Sequence, residues 1–417
     1  MARSLSLDVY FGDALVGAIH DESPMSFEYS AAWLNRKDAW PIAGIPLQSA
    51  RKSSMQTQAY FENLLPEGEL RLYLAEQRKA STLFAMLLEV AGDTAGGFVI
   101  LPSGQRPMKA SYEPTSWRSL AGLMNKDRAS AIDIHSRDAR ISLAGAQDKT
   151  SLAIFEDGLP QLPKGIAPAT HILKPNIKRL SKVWHSAVNE TIIMKTAALC
   201  GLPTAEVFYE PLTQSCVVRR FDRVALRDGE LGRIVQYDLC QLSGVLSDRK
   251  YENEGGPTLV DCAGLIRQYS TQPAVDLLHF IQWILFNLYV GNNDSHAKNL
   301  SVYQAPGQGV TLTPFYDLLC TRLYPGLSPD FAFSIGGETK PGAIAASHIT
   351  LMAEQLRISP QFVFKQAQDL AQKIPVALDQ AAESVSPVLS SSAKILVDRL
   401  KQFVLSTAKK TAERMIP

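Results

Sequence analysis

The alternation of hydrophobic and polar positions predicts a chain that begins with strands. Residues 5–20 alternate apolar and polar side chains on both sides of a Gly12-Asp13 turn, a pattern typical of a β-hairpin. Further apolar runs predict strands over 25–34 and 40–47 and a helical stretch over 60–90. A series of prolines and glycines between residues 102 and 114 then indicates a linker. The first ~105 residues therefore predict a small α+β domain.

A second group of strands precedes a longer helical region. The apolar runs predict strands over 140–143, 151–155, 170–174 and 217–221, with a helix over 190–200. Helical periodicity then predominates, over 275–290, 359–372, 375–384 and 392–414. We predict an α+β, two-lobed protein-kinase-like fold, with a β-rich N-lobe over 106–222, a helical C-lobe over 223–417 and the small domain over 1–105.

Composition narrows the class of protein. The 417 residues carry 42 Lys+Arg and 41 Asp+Glu, so bulk charge predicts neither a polybasic nucleic-acid binder nor a membrane-surface protein. The five cysteines form no C-x-x-C pair, which favours buried thiols in a reducing cytosol over a disulfide framework or zinc site. The apolar segment 275–290 is short and contains polar residues, so we interpret it as a buried core helix. We expect a cytoplasmic protein with no membrane partner.

The segment that follows this helix contains the clearest chemical pattern. In Gly291-Asn292-Asn293-Asp294-Ser295-His296-Ala297-Lys298-Asn299, Asp294 and Asn299 have the D-x-x-x-x-N spacing of a protein-kinase catalytic loop. A carboxylate there accepts a proton from the attacking hydroxyl, and the amide oxygen helps to hold a hard cation. Loop support by hydrogen bonds is the simpler role for His296.

Two further positions occur in the order that a kinase requires. Asp317, after the predicted strand 310–312, corresponds to the acid that holds Mg²⁺, and Lys174 ends an apolar strand as a phosphate-pairing lysine does. Glu190 is the candidate ion-pair partner of Lys174, although an acid in a first helical turn also suits the helix dipole. The segment 140–150 is a weak candidate phosphate loop, because it matches neither Walker A nor G-x-G-x-x-G. The basic C-terminal stretch 394–414 most simply forms a solvated helix face, with a partner or DNA contact as the alternative.

Together these segments resemble the HipA family of bacterial serine/threonine kinases, the toxins of HipA–HipB toxin–antitoxin pairs. The resemblance lies in Ile141 to Thr150, Pro163 to Lys174, Arg220-Phe221-Asp222-Arg223, Asp294 to Asn299 and Pro314 to Asp317, and in the N-terminal segment Phe61 to Gly68. These motifs occur in family order and extend over nearly the whole chain.

The resemblance implies a role for each matching position. It implies that Asp294 is the catalytic base, that Asn299 and Asp317 bind Mg²⁺ and that Ser142 is autophosphorylated, which would expel the loop by charge repulsion and inactivate the kinase. It implies that ATP contacts the following residues: Lys174, Ala144, Gly145, Ala146, Gln147, Asp148, Lys149, Arg219, Phe221, His296, Asn299 and Asp317.

The resemblance also implies partners. These are a helix-turn-helix antitoxin of the HipB type, operator DNA contacted mainly through that antitoxin, and an aminoacyl-tRNA synthetase substrate, with glutamate–tRNA ligase as the family's best-known target. Phosphorylation of that enzyme would starve translation and arrest growth. Two alternatives stay open from the residues: a non-catalytic ATP-binding co-regulator, and a kinase for a small molecule or lipid.

Overall fold

The computed structural model describes residues 5–90, 92–124, 147–226, 230–305 and 307–417, and this part of the chain is α+β. Its strands are β1 (Ser6–Phe11), β2 (Ala14–His20), β3 (Ser26–Tyr29), β4 (Lys52–Ser53), β5 (Phe98–Pro102), β6 (Tyr112–Pro114), β7 (Thr150–Ile154), β8 (Pro160–Pro163), β9 (His171–Pro175), β10 (Val207–Glu210), β11 (Ser215–Arg219), β12 (Arg223–Ala225), β13 (Leu231–Arg233), β14 (Gln236–Asp238), β15 (Ser301–Ala305) and β16 (Gly309–Leu312).

The helices of the described residues are α1 (Ala31–Leu34), α2 (Met55–Glu62), α3 (Gly68–Arg78), α4 (Leu83–Val90), α5 (Trp117–Met124), α6 (Ser186–Leu199), α7 (Leu239–Ser243), α8 (Leu259–Tyr269), α9 (Pro273–Val290), α10 (Ala346–Gln355), α11 (Pro360–Val385) and α12 (Ser391–Met415). The chain divides into two compact units, Met1–Leu173 with Arg220–Lys250, and Lys174–Arg219 with Tyr251–Pro417. The division into 1–105, 106–222 and 223–417 stays a prediction.

The first unit begins with a five-stranded sheet in the order β4-β3-β2-β1-β5. The predicted hairpin is present, since β1 and β2 pair antiparallel around Gly12, whose φ of 55° suits glycine. Val9, Val16 and Ile19 are fully buried and form part of the core of this unit. The alternating pattern therefore set both the pairing and the buried face of these strands.

The segment Arg220–Lys250 is tied into the same unit by hydrogen bonds from α2 and the residue after it. The Gln56 side chain donates to the main-chain oxygen of Gln241 at 2.7 Å, and the Asn63 side chain donates to that of Val245 at 2.8 Å.

Strands β6, β8 and β7 pair antiparallel in that order, and β7 pairs with β9 through Leu173. Residues far apart in sequence thus complete one compact unit.

The second unit is mainly helical and is built around α9. This helix is long and apolar enough to cross a membrane by length and composition alone, but 61% of its most apolar window is buried inside the structure. The prediction of a core helix is therefore confirmed. Helices α6, α11 and α12 all pack in this unit, and α11 and α12 also contact α9.

Three local predictions are wrong in whole or in part. The strand expected over 25–34 ends at Tyr29, and Ala31–Leu34 form α1, where the Ser30 side chain accepts a hydrogen bond from the Trp33 N–H at 3.0 Å. Residues 40–47, all described, contain no strand, because Pro41 and Pro46 cannot donate to a β-ladder. Residues 359–384 form a single helix, α11, rather than two, although Pro375 lies inside it. Ile374 and Leu378 are fully buried on either side of the proline, so tertiary packing offsets the missing hydrogen bond.

Candidate active site

The candidate catalytic loop begins at a fixed point where α9 ends. Gly291 has φ of 75°, in the left-handed region, and its N–H donates to the Asn287 oxygen at 3.0 Å. A Cβ at this position would lie 3.2 Å from the Phe403 ring, so both the backbone conformation and the space favour glycine. The end of a buried helix therefore fixes the position and direction in which the loop begins.

Hydrogen bonds hold the loop against the segment 321–329. The Thr321 hydroxyl accepts from the Asn293 N–H at 2.8 Å and donates to the Gly291 oxygen at 3.3 Å. The Asn293 side-chain amide donates to the main-chain oxygens of Ser328 at 3.1 Å and Pro329 at 2.8 Å. These contacts explain why asparagine and glycine precede the candidate catalytic acid.

Asp294 is the one exposed residue in the otherwise buried loop 291–300. The Tyr251 hydroxyl donates to Asp294 Oδ1 at 2.5 Å, and Asn299 Nδ2 donates to the Asp294 main-chain oxygen at 3.0 Å. The Tyr251 ring also contacts the buried His296 ring edge-on, with centroids 5.1 Å apart. The carboxylate is thus oriented by its neighbours and still open to a hydroxyl group, the arrangement that a general base requires.

Lys174, Glu190 and Asp317 form the lysine triad, a buried ionic group in the second unit. Lys174 Nζ lies 2.6 Å from Glu190 Oε1 and also donates to Asp317 Oδ1. Burial alone would lower the pKa of the Lys174 ammonium, but the two carboxylates raise it well above its usual value. The lysine is therefore a fixed positive charge, as pairing with phosphate requires.

Asp317 occupies the strained position of the triad. Its φ of 55° is uncommon for a residue other than glycine, and its side chain is 32% exposed while that of Glu190 is 1% exposed. Such strain persists only where surrounding contacts enforce it, and it is frequent at functional sites. The bridge between Thr204 and Phe315 and the hydrogen bond from the Tyr316 hydroxyl to the Lys298 oxygen supply those contacts.

Helix α6 supports the triad from the other side. Asn189, next to Glu190, accepts from the Cys320 N–H at 2.8 Å and donates to the Cys320 oxygen at 3.0 Å. One helix therefore positions the partner of Lys174 and fixes the segment that follows Asp317. Asn189 and Tyr251 were missed by the sequence analysis, and no motif spacing distinguishes either residue.

The residues present fit the groups that a kinase binds. Asp317 offers carboxylate oxygens and Asn299 an amide oxygen, hard donors of the type that Mg²⁺ prefers, and Lys174 offers a positive charge to phosphate. Within the described residues, no group of three or more His, Cys, Asp or Glu could hold a metal. A site with few protein ligands suits Mg²⁺, because this ion usually keeps waters and substrate phosphate oxygens in its shell.

The motif Arg220-Phe221-Asp222-Arg223 takes part in a second buried ionic group, the arginine cluster, in the first unit. Its members are Asp93, Arg220, Asp222, Arg223 and Arg233. Arg220 binds Asp222 through two hydrogen bonds of 2.9 and 2.8 Å, and Asp93 lies 2.8 Å from Arg223 and 3.1 Å from Arg233. Burial raises the pKa of Asp222, but the arginines outweigh this effect and hold it below its usual value. This network joins residues about 130 positions apart.

The remaining predicted ATP contacts are placed as follows. Arg219 is exposed and pairs with Glu206 at 2.9 Å, and Phe221 is half-buried. Lys149, immediately before β7, is buried, and the two residues that precede it, Gln147 and Asp148, are half-buried. Ser142, Ala144, Gly145 and Ala146 lie outside the described residues. The roles of all these residues stay predictions.

The five cysteines are free, and the prediction that their thiols are buried is confirmed. Burial raises the pKa of the Cys200 and Cys320 thiols to about 12, so neither has appreciable thiolate character near neutral pH. The cysteines therefore pack as small apolar groups.

The chain is similar to known proteins over almost its whole length. A family model for the HipA N-terminal domain matches residues 7–101, and one for the HipA-like C-terminal domain matches residues 141–381. The putative kinase Y4mE of Sinorhizobium fredii is 34% identical over 96% of both chains. The serine/threonine-protein kinase toxin HipA of Shewanella oneidensis is 27% identical over 93% of this chain and 92% of its own.

A solved structure has the same fold. HipA in the complex of Shewanella oneidensis HipA, HipB and operator DNA matches with a TM-score of 0.84 over 98% of both chains, at 24% identity. The α+β, kinase-like fold class predicted from the sequence is thereby confirmed.

Proposed function

The chain belongs to the HipA family and is a protein serine/threonine kinase, and we propose that it is the toxin of a type II toxin–antitoxin pair. We propose Asp294 as the catalytic base. The observation that carries this assignment is the single exposed carboxylate in a buried loop, oriented by Tyr251. A substrate hydroxyl placed against Asp294 would pass its proton to the carboxylate as its oxygen bonds to phosphorus, and the bond from phosphorus to the leaving ADP oxygen would break.

The lysine triad and Asn299 would receive the nucleotide. Bound Mg-ATP would supply the phosphoryl group and the cation that neutralises its developing charge. Lys174, held by Glu190, would pair with phosphate oxygens, while the Asp317 carboxylate and the Asn299 amide oxygen would hold Mg²⁺. Because the donors are fixed before binding, little reorganisation would be needed during the reaction.

The toxin role and its partners rest on the relatives. One relative is named a kinase toxin, and the structural match is HipA in a complex with HipB and operator DNA. We propose that this chain likewise binds a helix-turn-helix antitoxin and represses its operon with it. We further propose an aminoacyl-tRNA synthetase as substrate, with glutamate–tRNA ligase the first to test.

Self-inactivation is proposed through Ser142. A phosphate there would add about −1.5 to −2 charges beside the phosphates of ATP and would repel them. Mass spectrometry of the protein after incubation with Mg-ATP tests this directly. Unmodified Ser142 in active wild-type protein would contradict it.

The decisive experiment compares wild type with Asp294→Asn, with glutamate–tRNA ligase and Mg-ATP as substrates. We expect phosphorylation of the ligase by wild type and a loss of about 10²–10⁴-fold in the variant. Asp398→Asn, an exposed acid on α12, is the matched control and should keep full activity.

Three outcomes would overturn parts of the proposal. Equal activity of wild type and Asp294→Asn would exclude Asp294 as the base. Nucleotide binding with no phosphoryl transfer to any acceptor would favour the non-catalytic co-regulator. Transfer only to a small molecule or lipid would favour the third alternative.

A further inference from the structure

A cavity of about 900 Å³ lies in the second unit, between the segments 181–184 and 322–325 and one face of α12. Five of its lining side chains are cationic, and among the described residues that line it none is an aspartate or glutamate. The five are Lys182, Arg322, Arg399, Lys410 and Arg414. None of the residues assigned to the candidate active site lines it.

The basic face arises from the helical period of the C-terminal stretch. Arg399, Lys410 and Arg414 lie on the side of α12 that lines the cavity, together with Ser406 and Thr407. Lys401 points elsewhere, since it pairs with Asp379 of α11 at 2.7 Å. The stretch 394–414 is therefore not a uniform solvated helix face, because half of its six basic residues converge on one concavity.

The arginines are held in place by aromatic rings and oxygens rather than by carboxylates. The Arg399 guanidinium lies 5.5 Å from the centre of the Trp184 ring, and that of Arg322 lies 5.8 Å from the Phe403 ring. In the described part of the chain, none of the five cations forms an ion pair. The cavity therefore has a positive charge that the protein itself leaves uncompensated.

Arg414 shows this deficit most directly. Its Nη2 donates to the Pro341 oxygen at 2.9 Å, but its Nε is buried and has no hydrogen-bond partner in the structure. Burial together with the charge of Arg414 also lowers the pKa of Arg322, although Cys320 opposes this effect. A buried donor without an acceptor is unfavourable, and an anion bound beside it would remove that penalty.

We propose that this cavity binds a small molecule that carries several phosphate groups. Its volume lies in the range of small-molecule sites, and it is concave, whereas a duplex backbone requires an extended positive surface. Arginine binds phosphate oxygens through two parallel hydrogen bonds, and the Ser406 and Thr407 hydroxyls add further donors. Five cations exceed what a single phosphate would neutralise, so the ligand is a polyphosphate.

A main-chain hydrogen bond links a residue that lines the cavity to the start of the candidate catalytic loop. The Arg322 N–H donates to the Gly291 oxygen at 3.0 Å, at the position where that loop begins. The binding proposal does not depend on the kinase chemistry, and its test uses binding alone.

Calorimetric titration of the full chain with inorganic tripolyphosphate tests the proposal with a matched pair of variants. Lys409 and Lys410 are adjacent and exposed on α12, but only Lys410 lines the cavity. We expect Lys410→Glu to weaken binding about tenfold or more and Lys409→Glu to change it less than twofold. Both variants change the net charge by the same amount, so a difference between them reports the position of Lys410 in the cavity. Ser406→Trp, which fills the cavity without changing the charge, should also abolish binding.

Two controls separate this site from the candidate active site and from misfolding. Lys174→Met removes the phosphate-pairing lysine of the triad and should leave tripolyphosphate binding at the cavity intact. Thermal unfolding of each variant shows whether it is folded, and Lys182→Glu replaces Lys410→Glu if the latter is not.

Several outcomes would overturn the proposal. Equal binding by the Lys409→Glu and Lys410→Glu variants would indicate non-specific attraction of anions. Loss of binding in Lys174→Met alone would place the polyphosphate in the candidate active site. Binding of a short DNA duplex, but not of tripolyphosphate, with sensitivity to Lys410→Glu would make this face a nucleic-acid contact instead.

Discussion

The two buried ionic groups of this protein use the same interaction in different ways. In the arginine cluster, the side chains of Asp93 and Asp222 are 1% and 5% exposed, and three arginines surround two carboxylates. In the lysine triad, a single ammonium faces two carboxylates, and the Asp317 side chain is 32% exposed. The two carboxylates of the first group are closed to solvent, whereas the second group has an acid at an accessible edge.

Backbone conformation separates the two groups further. Asp317 has a positive φ, while neither acid of the arginine cluster is among the residues with positive φ. Burial and Arg220 lower the pKa of Arg223 to about 10. Burying these charged groups carries a desolvation penalty, which the ion pairs within the cluster offset. A strained and accessible acid indicates a binding site, while a paired and buried network indicates structure.

The largest expected effect is on activity when the accessible acid is changed. Asp317→Asn should lower the rate of phosphoryl transfer about 10²–10³-fold, the loss typical of removing one preorganised charged group. The free energy of unfolding should change by less than about 1 kcal/mol, since asparagine tolerates a positive φ and the triad keeps one carboxylate. Kinase assays and urea denaturation measure both quantities. A loss of stability without a loss of rate would reverse the assignment.

The arginine cluster should respond in the opposite way. Asp93→Asn leaves three buried arginines with one charged partner and should lower the free energy of unfolding by about 3–5 kcal/mol. Urea denaturation followed by circular dichroism measures this change. Asp21→Asn, an exposed acid of the same unit, should have almost no effect. If the Asp93 variant were as stable as this control, the cluster would not hold the first unit together.

The pH dependence of stability should also distinguish the groups. Burial raises the pKa values of Asp93 and Asp222, but the arginines lower both below their usual range. Their contribution is therefore present above about pH 4 and is lost as the pH falls through the folded-state values. Asp222→Asn should make the loss of stability below about pH 4 shallower in urea titrations.

The contribution of Lys174 to stability depends on pH in the opposite direction. Because its folded-state pKa is raised, its contribution to stability is full below about pH 10.4 and is lost only as the pH rises through the folded value. Lys174→Arg keeps the positive charge beside both carboxylates and should therefore leave the slope of the acid limb unchanged. A change of that slope equal to the one in Asp222→Asn would contradict the distinction.

The smallest expected effect concerns the hydrogen bond that orients the proposed base. Tyr251→Phe should lower kcat about twofold to tenfold and leave the KM for ATP unchanged, since a single hydrogen bond contributes about 0.5–1.5 kcal/mol. Tyr269→Phe, at the end of α8, is the matched control. Steady-state kinetics would contradict the positioning role if both variants matched wild type.

The chemical groups that meet in the second unit can be predicted from the sequence, whereas the residues that support them cannot. Lys174, Glu190 and Asp317 were predicted as a set because kinase chemistry requires those side chains in that order. Asn189 and Tyr251 were not predicted, because a hydrogen bond between residues 43 or 131 positions apart leaves no periodic pattern. Long-range supports depend on the fold, whereas catalytic groups depend on the chemistry.

The motif around Arg220 shows the same limit. The resemblance implied that Arg219 and Phe221 contact ATP, and those roles stay predictions. The structure adds that the buried Arg220 pairs with both Asp222 and Asp93, and no local pattern indicates its pairing with Asp93. Likewise, the Trp40 segment is apolar enough for a strand, yet its prolines exclude one.

The sequence by itself determined the strand pairing of the first hairpin, the buried helix α9, the family and the order of the chemical groups, since these follow from local periodicity and side-chain chemistry. Only the tertiary structure decided which acid is exposed, which is strained, and where the basic residues of α12 converge. Those properties depend on solvent access and on neighbours that the chain brings together from distant positions. The near-equal numbers of acidic and basic residues give no indication of these properties. The effect of a charged group depends on its position and burial, not on the net charge of the chain.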